Sequence, residues 1–246
     1  MAPRPPHRRE GRIVTAGFAI REGLPPGARA AAAEIYWAAF GAKLGVVLGP
    51  EPAARRYLER AMRDDHCLAA VAGDGRLLGI AGFRTAAGSF AGGSAADLRA
   101  VYGPVGGLWR AMLLGALARD PEPRRFLLDG LCVAPAARGQ GIGRALIEAI
   151  CAEAARRGHD EVRLDVVDTN PRARALYERL GFRPMRTRAI GLLRHVFGFR
   201  AATMMVRPAA WPADPAAPLP LPARAAGGRR QPDPAGAGTG WPAAPA

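Results

Sequence analysis

Seven residues carry the densest chemistry in the chain: Arg138-Gly139-Gln140-Gly141-Ile142-Gly143-Arg144. Glycines at alternate positions let backbone N–H groups close on a ligand without Cβ interference. Two arginines add full positive charge. Ile142, Ala145, Leu146, Ala149 and Ile150 fall on one helical face, so the loop should end on a helix N-terminus. Such an end presents unpaired N–H groups and the positive pole of the helix dipole. The combination suits a diphosphate. It is not a P-loop, because Gly143-Arg144-Ala145 stands where Gly-Lys-Ser/Thr is needed. A dinucleotide fingerprint fits poorly, because Arg144 occupies a position that wants a small residue. The bland alternative is a plain glycine-rich connection.

A second cluster runs Asn170-Pro171-Arg172-Ala173-Arg174-Ala175-Leu176-Tyr177-Glu178-Arg179-Leu180-Gly181-Phe182. Asn170 and Pro171 read as the N-cap and first residue of a short helix that Gly181 closes. The upstream segment Val133-x-Pro135-x-x-Arg138-Gly139-x-Gly141-x-Gly143 and this one resemble, in order and separation, two motifs of the GCN5-related N-acetyltransferase (GNAT) superfamily. The resemblance covers about 130–185 closely. It implies an α/β fold: a mixed, mostly antiparallel sheet of six to seven strands with splayed central strands, flanked by helices.

The same resemblance implies acetyl-CoA as co-substrate, lying in the splay, and no metal. The pantetheine arm would pair with Leu131, Cys132 and Val133. The pyrophosphate would sit on the amides of Arg138, Gly139, Gln140, Gly141, Ile142, Gly143 and Arg144. Asn170 would bond the arm, cap the helix, or do both. Tyr177 matches the tyrosine that faces the thioester sulfur; its ordinary alternative is core packing beside Leu176 and Leu180. Asp165 matches an acidic position that some members use to deprotonate the amine through water. Asp129 is its rival, because a carboxylate inside the apolar run FLLDGLCV needs a partner or a purpose. Glu34 is a remote third. Cys132 reads as a small buried hydrophobe, since the family transfers the acyl group directly.

Composition narrows the surroundings. The 246 residues suffice for one domain with tails. Three cysteines (Cys67, Cys132, Cys151) lie far apart, and the four histidines do not cluster. That excludes a disulfide scaffold, argues against zinc, and suits a reducing cytoplasm. No run of about 18 uncharged apolar residues points to a membrane span. The opening MAPRPPHRREGR lacks the apolar core of a secretory signal, so export by that route is not expected. Net charge is +14, with Lys43 the single lysine among 35 basic residues. The arginines are scattered, which disfavours nucleic-acid binding as the main function. The positive field also disfavours a polycationic acceptor. An amine of a small molecule or a protein N-terminus remains, on a monomer or homodimer. A non-catalytic acyl-CoA sensor and a basic nucleic-acid-associated protein are the competing classes.

The elements follow from periodicity and turn residues. Residues 1–16 read as a flexible basic arm, 17–207 as the acetyltransferase domain, and 208–246 as a disordered tail with ten prolines and five glycines. Strands are expected at 18–21, 67–72, 77–83, 126–133, 161–167, 182–188 and 202–207. Asp74-Gly75 should turn the second into the third. Helices are expected at 28–40, 52–63, 98–117 (broken near Gly103-Pro104) and 142–157, besides the one after Asn170. Tyr36, Trp37 and Phe40 read as core packing, and His66 and His195 as structural or surface residues. The segment 84–125, with Trp109 and Met112, is longer than a connection needs and is expected to cover the acceptor site.

Overall fold

The structure, a computed structural model, describes residues 13–15, 17–117, 125–191, 194 and 198–210. Among these, nine strands form one sheet. They are β1 (Ile13–Thr15), β2 (Phe18–Glu22), β3 (Cys67–Ala72), β4 (Leu77–Thr85), β5 (Gly88–Ser89), β6 (Phe126–Val133), β7 (Glu161–Val167), β8 (Arg183–Ala189) and β9 (Ala201–Pro208). The helices are α1 (Arg29–Leu48), α2 (Glu51–Ala61), α3 (Ala95–Leu117), α4 (Ile142–Arg156) and α5 (Pro171–Arg179). The order across the sheet is β1-β2-β3-β4-β6-β7-β9-β8, with β5 beside β4. Every pairing is antiparallel except β6 with β7.

The sheet is therefore wider than its apolar runs suggest. The extra strands are short: β1 lies inside the expected arm, and β5 inside the expected loop after β4. Only pairing partners supplied from elsewhere in the chain define them. The turn from β3 to β4 forms at Gly73-Asp74-Gly75 as its residues require. Gly75 takes φ +87°, and Asp74 accepts the Arg76 N–H at 3.0 Å. α1 continues eight residues beyond Phe40 and ends at Gly49. By length and composition α1 is apolar enough to cross a membrane; here it carries Glu34 and Lys43 and buries Ala32, Ala33, Ile35 and Tyr36. α3 breaks at Gly103, whose φ is +74°.

Two apolar layers sandwich the sheet. On one face Phe18, Leu68, Ala81, Phe83 and Leu164 meet Leu146, Ile147 and Ile150 of α4. Each of those three α4 side chains is fully buried, worth about 1.5–3 kcal/mol. On the other face Cys67, Ala69, Val71 and Ile80 meet α1, α2 and α3.

β6 changes sides part-way. Gly82 pairs with Gly130 but Phe83 pairs with Leu128, so Asp129 is one residue too many. This bulge inverts the alternation. Phe126 and Leu128 join the α4 layer before it, and Leu131 and Val133 do so after it, while Cys132 turns to the α1 layer.

β9 runs to Pro208, and Ala209 is buried, so the folded chain continues slightly past the expected boundary. The rest of the expected tail, most of the arm and His195 lie outside the described residues.

Candidate active site

The two central strands hold together over three residue pairs only, Phe126–Val162, Leu127–Arg163 and Leu128–Leu164. Beyond Leu128 and Leu164 they diverge. β6 continues against β4 as far as Val133, and β7 against β9 as far as Val167. The expected splay is present. A cavity of about 380 Å³ opens there. It brings together Tyr177, Asp165, Asp129, Leu131 and Asn170.

Each arrives by a different local cause. Asn170 caps α5, its side chain accepting the Ala173 N–H at 3.2 Å, and it also faces the cavity. Both roles weighed for it from sequence are geometrically compatible. One helical turn further, Ala173, Leu176 and Tyr177 line the same wall. Tyr177 is 8% exposed and leans on Phe182, ring centres 5.8 Å apart. Burial first, and the nearby Cys132 second, push its phenol up to about 12. The hydroxyl stays protonated at any physiological pH and is a hydrogen-bond donor.

Asp129 is engaged. Ser89 Oγ donates to its Oδ2 at 2.5 Å, and an Arg84 guanidinium nitrogen donates to its Oδ1 at 3.2 Å. Its bulge position swings it toward these partners on β4 and β5. Both carboxylate oxygens thus have the partners that a carboxylate inside an apolar run needs. Asp165 is an exposed residue on the far wall. Glu34 is off the site altogether, ion-paired with Arg55 at 3.1 Å and absent from the cavity lining. Cys132 is buried against α1, and burial raises its thiol well above the ordinary range. Its side chain is a packing group, as expected.

The arginine–glycine loop lies apart from the cavity, at the start of α4. Gly141 occupies the N-cap in a left-handed conformation, φ +77°, and no side chain caps the helix. No acidic residue stands in its first turn. The first helical N–H groups therefore keep their donors for a ligand. A Cβ at Gly139 or Gly141 would meet nothing within 4 Å, so open space lies over both. Arg138 and Arg144 are exposed beside it. An uncapped, acid-free, glycine-lined helix start flanked by two cations fits a diphosphate. Of the strand residues Leu131–Val133, Leu131 lines the cavity.

The model of the Acetyltransferase (GNAT) family matches residues 29–182. The chain belongs to the GNAT acetyltransferase family. A mycothiol acetyltransferase of Beutenbergia cavernae is 48% identical over 79 residues, 32% of this chain and 27% of that protein. A thialysine N-epsilon-acetyltransferase of Bos taurus is 38% identical over 81 residues, 33% of this chain and 46% of that protein. The match thus spans less than half the length of either curated relative. An acetyltransferase crystal structure aligns with 78% of this chain and 99% of its own at TM-score 0.51 and 20% identity. An N-acetyltransferase from Staphylococcus aureus Mu50 aligns with 76% and 99% at TM-score 0.53 and 13% identity. Both support the fold, and neither goes further.

Several lining residues of this GNAT site escaped the sequence reading. Tyr36 and Phe40, taken as core, pack on each other at 4.7 Å and also line the cavity. Lys43, Leu44 and Phe199 extend the same wall. The i, i+4, i+7, i+8 spacing of Tyr36, Phe40, Lys43 and Leu44 was visible, but an apolar helix face looks the same whether it meets a core or a cavity. None of the described residues of 84–125, the segment expected to cover the acceptor site, lines this cavity. α3 instead packs on α1 and α2, with Tyr102 donating to Leu48 O and Arg110 to Gly49 O. Trp109 and Met112 face outward. From this stretch, Arg84 and Ser89 reach Asp129 in the cavity wall.

Proposed function

We propose that this protein transfers the acetyl group of acetyl-CoA to a primary amine by direct attack in a ternary complex. The carrying observation is the wedge between β6 and β7. A protonated, buried tyrosine stands on one wall of it, and β6 leads through the arginine–glycine loop into the uncapped start of α4. The thioester supplies the activated acyl carbon. A backbone N–H near Cys132 or Val133, with that of Val133 on the edge β7 leaves, would stabilise charge on the carbonyl oxygen. A donor of that kind is worth roughly 2.7–4 kcal/mol.

Tyr177 donates a hydrogen bond to the departing sulfur. Asp165, on the opposite wall, takes the proton from the amine directly or through water. Asp129, fixed by Arg84 and Ser89, holds negative charge near the incoming ammonium. The chain's positive field favours the anionic co-substrate over polycationic acceptors. Free, buried Cys67, Cys132 and Cys151 support action in a reducing compartment such as the cytoplasm.

The test is thiol release from acetyl-CoA across a panel of primary amines, with the N-acetyl product identified by mass. Release with at least one amine is the expected result. Coenzyme binding without release for every amine would mark the protein as a sensor and overturn the enzymatic reading.

A further inference from the structure

Lys43 is the single lysine among 35 basic side chains, and it lies on the cavity wall. On α1 it follows Tyr36 by seven residues and Phe40 by three, so the three share a helix face. Its Cα stands about 10 Å along the helix axis from that of Tyr36. Tyr36 and Phe40 abut Gly130, beside the bulge and Asp129. The wall thus runs from the bulge, past Phe40, to a cation. The Lys43 ammonium sits 6.0 Å from the centre of the Phe199 ring, and among the described residues no carboxylate pairs with it. Partial burial lowers its pKa by desolvation. The cation has lost water without gaining a counter-charge. Asp129 is already held by Ser89 and Arg84.

We propose that Lys43 receives a carboxylate of the acceptor, so that the acceptor is an amine joined to a carboxylate through an apolar frame lying against Phe40, Leu44 and Phe199. This deepens the acetyltransferase reading and rests on it. A zwitterion matches the cavity at both ends: its ammonium meets Asp165 and Asp129, and its carboxylate meets Lys43. A diamine would bring a second cation toward Lys43 and be repelled. A monoamine would leave Lys43 unpaired.

The lone lysine makes the test direct. Full-length protein labelled with 13C at lysine Cε gives one reporter resonance for this purpose. It is titrated with N-acetylated α-amino acids and ω-amino acids of two to eight carbons, each beside its methyl ester. At least one acid should shift the Lys43 resonance saturably, and its ester should not. In thiol-release assays the matching free amino acid should have the lower KM. Lys43→Gln should raise that KM about ten-fold or more while moving the ester's KM less than two-fold.

No acid shifting the resonance more than its ester would overturn the proposal. So would equal KM changes for acid and ester in Lys43→Gln. A shift by an acid without turnover of any amine would keep the carboxylate site and sink the catalytic reading, so the two failures are distinguishable.

Discussion

Replacing Tyr177 by Phe removes one oxygen and leaves the ring against Phe182 in place. The magnitude follows from the site. The Tyr177 phenol is pushed up to about 12, whereas a thiol titrates near about 8.5. Full proton transfer from the phenol to a thiolate is then uphill by about 5 kcal/mol in the resting site. The hydroxyl acts as a hydrogen-bond donor to developing negative charge, which is worth about 1.5–3 kcal/mol. Turnover of Tyr177→Phe should fall roughly 10- to 150-fold, short of the 10⁴-fold upper range of general-acid loss. The KM for acetyl-CoA should change less than about three-fold, because the oxygen matters only as charge develops. Steady-state thiol release with both substrates varied separates the two effects. Turnover within two-fold of the parent, or a loss seen only in acetyl-CoA affinity, would refute the reasoning.

The same raised phenol carries a stability signature. A folded-state pKa above the unfolded value of about 10 leaves stability intact below pH 10 and erodes it as pH rises toward 12. Tyr177→Phe should lose less stability than the parent across that window, by at most about 2.7 kcal/mol in denaturant titrations. Gly141→Ala must place a side chain at φ +77° with nothing in contact; about 1–2 kcal/mol of strain at the α4 cap should weaken acetyl-CoA binding by calorimetry. Gly130→Ala sets a methyl 3.2 Å from Tyr36 and 3.3 Å from Phe40, so acceptor KM should rise with little change in melting temperature. Asp129→Ala strands the buried Ser89 hydroxyl and Arg84; unfolding free energy should drop about 1–3 kcal/mol and turnover should fall with it.

What the sequence disclosed was local. Gly139 to Arg144 and Asn170 to Gly181 are short stretches whose chemistry is written in consecutive residues, and the structure keeps both: a helix start with free donors, and a capped α5 carrying Tyr177. Strands β3, β4, β6 and β7 were legible because apolar alternation and the Asp74-Gly75 turn are equally local. The cavity's other wall was not. Tyr36, Phe40 and Lys43 become a lining only because α1 lies over a gap opened by strands some ninety residues later, and nothing in their own neighbourhood records that gap. The Asp129 bulge was invisible for the same reason, since an extra residue exists only relative to the partner strand β4. Length alone gave no placement for 84–125. A connection longer than its task suggested a lid, yet its Tyr102 and Arg110 both bond the C-terminal end of α1, and α3 packs on α1 and α2.

The parting of β6 from β7 leaves a ladder half finished inside the molecule. A sheet gains from every additional rung, so substitutions that let Leu131 or Val133 reach across to β7 would harden the fold and close the slot together. Selection for heat resistance alone would drift in that direction. Screens for sturdier variants of this chain should therefore keep turnover as a second gate, with survivors altered at Asp129 or Gly130 the first to be suspected of having healed the seam.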